Sequence, residues 1–217
     1  MGPTLLLDLD GTLVDTVPDL TAALNRVMEA RGLAPFAEAE TARMVGDGVA
    51  TLIARAFAAR GGVPDATAVA DYASDPALFT PRASRPFPGV VAALAGLAEA
   101  GWRLAVCTNK PEAAARSLLQ QLGLLGFMAA VGGGDSFPAR KPDPTHLLAT
   151  LRAAGGATDR ALMAGDHAND VAAARGAGVP AIFAAWGYGP PEMAEGAAAV
   201  AHDATEMARL ARELMGA

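Results

Sequence analysis

Only one cysteine occurs in this 217-residue chain, so no internal disulfide framework holds it together. That residue, Cys107, sits in an apolar run and reads as a buried, inert thiol. Histidine is nearly as scarce. His146, His167 and His202 lie far apart, and no His/Cys spacing suits a zinc site. Charge is sparse: 18% of residues are charged against 52% hydrophobic, which excludes disorder and points to a well-buried globular protein. Positive charge is in deficit, with a net charge of -6. That balance argues against a general nucleic-acid or membrane-surface binder, yet leaves room for a local basic pocket that takes a small anion. No stretch is long and apolar enough to span a bilayer. The N-terminus reaches Asp8 and Asp10 without a basic region, so no secretory signal is expected and a cytoplasmic location is.

What is present is an alternation. Thr4–Leu7 is a short apolar run that reads as a buried strand ending at Asp8. After it come only helical patterns: from Pro18–Asp19 to Gly32, with Leu20, Leu24, Val27 and Met28 at helical spacing, then Glu38–Val45, Val49–Ala59 and Thr67–Phe79. No strand is expected between Asp15 and Pro88. Beyond the proline-rich 81–88 segment, helices (90–100, 112–122, 144–154, 169–177, 206–215) alternate with strands (103–108, 127–131, 161–164, 181–184). Such alternation implies a parallel sheet covered on both faces, hence an α/β, doubly wound, Rossmann-like core. The expected division is a core domain of residues 1–15 and 88–217, with a small all-helical cap, 16–87, inserted after the first strand. Ligands in such folds bind beyond the carboxyl ends of the strands.

Four polar clusters fall at those ends. In Leu7-Asp8-Leu9-Asp10-Gly11-Thr12, Asp8 ends a buried strand, where an unpaired carboxylate is costly. Asp10 points roughly the same way along an extended chain, so one carboxylate can attack while the next handles protons. Thr108 and Asn109 follow a strand. They can grip phosphate oxygens or simply cap the helix near Pro111. Lys141 precedes the helix start at Pro144 and by itself reads as a solvated lysine. Asp166 and Asp170 follow the strand ending near Ala164. They suit magnesium or merely complement a helix dipole.

Their order and placement resemble the haloacid dehalogenase-like hydrolase superfamily over essentially the whole chain. Thr108-Asn109-Lys110-Pro111, Gly132-Gly133-Gly134-Asp135, Ala139-Arg140-Lys141-Pro142, Trp186-Gly187-Tyr188-Gly189 and Val45-Gly46-Asp47-Gly48 are similar to its phosphoglycolate phosphatase branch. The resemblance implies an Mg²⁺-dependent phosphatase acting on a small phosphate monoester, with 2-phosphoglycolate expected. Asp8 is then nucleophile and metal ligand. Asp10 is general acid and base and binds the metal through its carbonyl. Thr108 and the Asn109 N–H bind phosphate, and Lys141 neutralises it. Asp166 binds the metal, and Asp170 binds it or orients Lys141. In the cap, the loop at Gly48 and the side chain of Arg55 are expected to receive the substrate carboxylate. His167 stands where a small residue is common, and it either touches the metal surroundings or faces solvent. A monomer or homodimer without nucleic-acid or membrane partners is expected. The competing readings are a phosphosugar mutase of the β-phosphoglucomutase type, a sugar-phosphate phosphatase, and a catalytically silent anion-binding module.

Overall fold

The computed structural model describes residues 2–216. Six strands form one parallel sheet: β1 (Thr4–Leu7), β4 (Arg103–Cys107), β5 (Met128–Gly132), β6 (Ala161–Gly165), β7 (Ala181–Ala184) and β8 (Ala199–Ala201), in the order β5-β4-β1-β6-β7-β8. A two-residue antiparallel pair, β2 (Val14–Asp15) with β3 (Arg85–Pro86), stands apart from it. Side chains alternate across the sheet, as strand geometry demands. On one face Leu5, Leu7, Leu104, Val106 and Ile182 pack beneath the helices α5 (Val90–Glu99), α6 (Glu112–Gln121) and α9 (Ala204–Met215). On the other, Leu6, Cys107, Met163 and Phe183 meet α7 (Pro144–Ala153) and α8 (Ala168–Gly176). This is the doubly wound arrangement, and burial on both faces is why β1 and β6 are apolar along their length.

The sheet order fixes where a site can form. From β1 the chain moves outward through β4 to β5, then returns to place β6 on the other side of β1. The topological switch point therefore lies between β1 and β6, and their carboxyl ends carry Asp8 and Asp166.

A separate apolar cluster joins α1 (Val17–Glu29), α3 (Val49–Ala59) and α4 (Ala68–Ala73), with Phe36 and Met44 from the residues on either side of the short α2 (Glu38–Ala42). Its centre is Leu24, Met28, Ile53, Phe57 and Tyr72, spaced along each helix so that one stripe faces inward. Where this helical layer meets the sheet, the buried Asp19 carboxylate accepts hydrogen bonds from the N–H groups of Arg82, Ala83 and Ser84 and from Ser84 Oγ. These bonds tie α1 to the segment that leads into β3.

Three expectations differ from the structure. The 67–79 helix is broken: α4 stops at Ala73, and Asp75 accepts from Ala77 N to restart a single turn with Pro76 in its first position. The 38–45 helix ends at Ala42. Strands β3 and β8, like the β2 residues that pair with β3, are not among the expected elements. The first is two residues set by its partner, with a proline that cannot donate to a ladder, and the second is an alanine stretch without alternation.

Candidate functional site

Segments leaving β1, β4, β5 and β6 bring the four polar clusters to one edge of the sheet. Asp8 is buried, and its Oδ1 accepts from Leu9 N at 2.7 Å and lies 3.0 Å from Lys141 Nζ. Lys141 also meets Asp170 Oδ1 at 2.5 Å. Gly11 turns the chain at φ +88°, a left-handed conformation that a side chain resists. A Cβ there would lie 2.3 Å from Asp166 Oδ2, so glycine is what lets the first loop touch the third. The next residue uses that proximity: Thr12 Oγ1 donates to Asp166 Oδ1 at 2.7 Å. Gly187 serves the same end, since a Cβ on it would lie 2.3 Å from Asp166 Cβ and 2.4 Å from Gly11 O. Tyr188 N then donates to Asp166 Oδ2 at 2.8 Å.

Charge at this edge does not balance. Asp8, Asp166 and Asp170 are all buried, and one oxygen of each falls within 4.8 Å of the others. Among the described residues only Lys141 opposes them, so two negative charges are left over when all three are ionised. Burial, then the Asp8 charge, push the Asp166 carboxyl up to about 7 against the pull of Thr12 and Tyr188. Burial likewise raises Asp170, with Lys141 pulling the other way. Lys141 is the converse case. Burial disfavours its charge, but Asp170 and Asp8 hold its ammonium above the usual range.

Asp10 stands outside that cluster. Its carboxylate faces Lys110 Nζ, 3.2 and 3.3 Å from its two oxygens. Thr108 and Asn109 do not cap the following helix. It begins at Glu112, whose N–H donates to Asp135. Asn109 Nδ2 instead bridges Gly46 O and Lys141 O, both at 2.9 Å, tying the helical layer to the Lys141 loop. Asn169 adds a second tie, donating to Asp47 Oδ1 at 2.7 Å. His167 is not a free solvent-facing residue. Its Nδ1 caps α8 by accepting from Asn169 N at 3.2 Å, and its ring lies against Gly46. Burial lowers its pKa.

A cleft of about 600 Å³, its open mouth included, lies between this edge and the helical layer. Asp8, Asp10, Thr108, Asn109 and Lys110 form its floor, and Gly46, Gly48, Leu52 and Tyr72 lie above. Gly48 is thus where it was expected, at the head of α3, which no side chain caps. Arg55 is not. Its guanidinium is spent on Asp47 Oδ2 at 2.6 Å and Met44 O at 3.2 Å, and it does not line the cleft. The resemblance that points to Arg55 does not show that Asp47 holds its guanidinium away from the cleft. Lys110 and Tyr72, not among the expected site residues, do line the cleft. Lys110 carried a readable signal: it directly follows Thr108 and Asn109.

A family model described as haloacid dehalogenase-like hydrolase matches residues 3–178. Among curated relatives, a phosphoglycolate phosphatase of Rhodospirillum rubrum is 45% identical over 216 residues, covering 94% of this chain and 88% of that protein. One from Agrobacterium fabrum is 43% identical over 203 residues, covering 90% and 85%. Among solved structures, a predicted phosphoglycolate phosphatase from Haemophilus somnus superposes with a TM-score of 0.87 at 26% identity, covering 96% of this chain and 97% of that one.

Proposed function

The chain belongs to the haloacid dehalogenase-like hydrolases and is a phosphatase, and on that premise we propose that it hydrolyses 2-phosphoglycolate through a phosphoryl group carried on Asp8. The observation that carries the reading is Asp8 itself: a buried carboxylate on the floor of the cleft, with an ammonium 3.0 Å away and two further carboxylates beside it. The names of the curated relatives support the substrate.

The donor set fits magnesium. Three buried carboxylates with oxygens inside 4.8 Å, two charges in excess, and an Asp166 carboxyl driven up to about 7 together describe a place for a hard divalent cation. Asp8 and Asp166 would hold it, with the Asp10 carbonyl. Asp170, 2.5 Å from Lys141, supports that lysine and closes the ring of carboxylates. When bound, magnesium supplies positive charge beside the phosphoryl oxygens.

The remaining chemistry belongs to the chain's own residues. Lys141, Thr108 and the Asn109 N–H hold the oxygens that do not leave, an arrangement that matters most as their charge spreads. An Asp8 oxygen bonds to phosphorus as the ester P–O bond breaks. Asp10 delivers a proton to the departing glycolate oxygen. The same carboxylate then takes a proton from water, whose oxygen attacks phosphorus and frees Asp8 and inorganic phosphate. The cleft, partly roofed by the helical layer and lined by Leu52 and Tyr72, limits competing water.

The test is phosphate release from a panel of small esters with magnesium present, for the wild type and Asp8→Asn. We expect 2-phosphoglycolate to give the highest kcat/KM and the folded variant to release none. A wild type that prefers neutral sugar phosphates refutes the substrate, and a folded variant near wild-type rate refutes Asp8.

A further inference from the structure

The phosphate end of the substrate has its partners, but phosphoglycolate carries a second anion one carbon away. Lys141 is committed to Asp8 and Asp170. Arg55 is committed to Asp47 and lies outside the cleft. Arg140 approaches Gly48 but is exposed and also outside. Among the described residues lining the cleft, one cation remains, Lys110, and its ammonium is buried. An ammonium has three protons to donate. The Lys110 Nζ makes only the two Asp10 contacts, both longer than a charge-assisted bond prefers.

Tyr72 supplies a second, independent observation. It lines the same cleft from α4, and its hydroxyl is buried without any hydrogen-bond partner among the described residues. A buried hydroxyl left unmade is costly, and native structures rarely keep one without a reason. Nothing about α4 packing requires it, because a phenylalanine would fill the same apolar cluster. Lys110 and Tyr72 line the same cleft as Asp8 and Asp10, the first from the floor and the second from α4.

We propose that Lys110 and Tyr72 form the second anion-binding element of the cleft: the ammonium and the phenolic O–H receive the substrate carboxylate and select esters that carry one. The proposal rests on the reading of this protein as a phosphoglycolate phosphatase and replaces Arg55 in that role. Lys110 and Tyr72 are thereby specificity-determining residues, distinct from the groups that hold the phosphate.

The experiment compares 2-phosphoglycolate with 2-hydroxyethyl phosphate, which has the same skeleton with a neutral hydroxymethyl in place of the carboxylate. The kcat/KM ratio of the two is measured for wild type, Lys110→Met and Tyr72→Phe, with circular dichroism to confirm folding. Using the ratio removes any loss that both substrates share through Asp10. Lys110→Met should lower the ratio by about 10–100-fold, mainly through KM for phosphoglycolate, the worth of a charge-assisted bond to the carboxylate. Tyr72→Phe should lower it by at least about 10-fold, the worth of one hydrogen bond to a charged group, with thermal stability unchanged or raised. Equal losses for both esters in Lys110→Met, or an unchanged ratio in Tyr72→Phe, overturn the proposal while leaving the substrate in place. A wild type that favours the hydroxyethyl ester overturns both.

Discussion

Metal binding and proton binding compete at Asp166, and the competition has a calculable size. In the metal-free protein the folded state holds the Asp166 proton up to about pH 7. An unfolded chain releases an aspartyl proton near pH 4. A carboxyl raised on folding contributes stability that is present at low pH and is lost as pH rises through 7. Magnesium must displace that proton, so at pH 5.5 its affinity falls by ~30-fold relative to pH 8, at tenfold per pH unit below 7. If magnesium is set at 100 times its dissociation constant at pH 8, it stabilises by ~2.7 kcal/mol there and by ~0.8 kcal/mol at pH 5.5. For a chain of this size each kcal/mol moves Tm by ~2–4 °C. The expected magnesium shift is therefore roughly 5–11 °C at pH 8 and about 2–3 °C at pH 5.5. His146, which burial keeps below its usual pKa, loses stability in acid whether metal is present or not, so it cancels in the difference. Differential scanning fluorimetry with magnesium against chelator, at the two pH values, reads the effect. Asp166→Asn should abolish or flatten it. A shift equal at both pH values, or larger in acid, refutes the reasoning.

Other perturbations have distinct signatures. Asp10→Asn should slow turnover of phosphoglycolate by ~10²–10⁴-fold, with a smaller loss in phosphoenzyme formation from p-nitrophenyl phosphate, whose leaving group needs no proton; rapid quench on both esters checks it. Arg55→Ala should change KM for phosphoglycolate and p-nitrophenyl phosphate by similar factors and cost at most ~1 kcal/mol in denaturant melts, because its pair with Asp47 is half exposed. Asp19→Asn should cost about 2 kcal/mol, since charge-assisted bonds from the chain at 82–84 weaken. Burial works against the Asp19 charge, but bonds from the Ser84 side chain and the N–H groups of Ser84, Ala83 and Arg82 leave its pKa below normal. Its contribution is therefore present above about pH 4 and is lost as pH falls further, and urea melts of the pair should converge in acid.

The core was readable because its signals are local. Buried parallel strands are continuous apolar runs, so Thr4–Leu7 and Ala161–Gly165 announce themselves, and each ends in a carboxylate that an apolar strand has no other use for. The helical layer was readable from spacing at Leu20, Leu24, Val27 and Met28. What escaped were features decided by contacts between distant segments. β3 exists because Val14–Asp15 offers it a partner 70 residues away. Which basic residue faces the cleft could not be read from helix position: Arg55 is captured by Asp47, eight residues earlier in the chain, whereas Lys110 is aimed inward by the loop after β4. The orphaned Tyr72 hydroxyl is invisible in sequence, since a tyrosine on an apolar stripe reads as packing. Gly11 and Gly187 are legible in the sequence as turn residues, but only the fold shows that both close on Asp166.

The central claim is that the phosphoryl group passes through Asp8. Borohydride reduces an acyl phosphate to an alcohol, so an aspartyl phosphate becomes homoserine. The protein is mixed with 2-phosphoglycolate and magnesium, quenched within the first turnover, reduced, digested and sequenced by mass spectrometry. The account predicts homoserine at position 8, dependent on substrate and absent from Asp8→Asn. An enzyme that turns over while position 8 remains aspartate, with the modification on another residue, contradicts it.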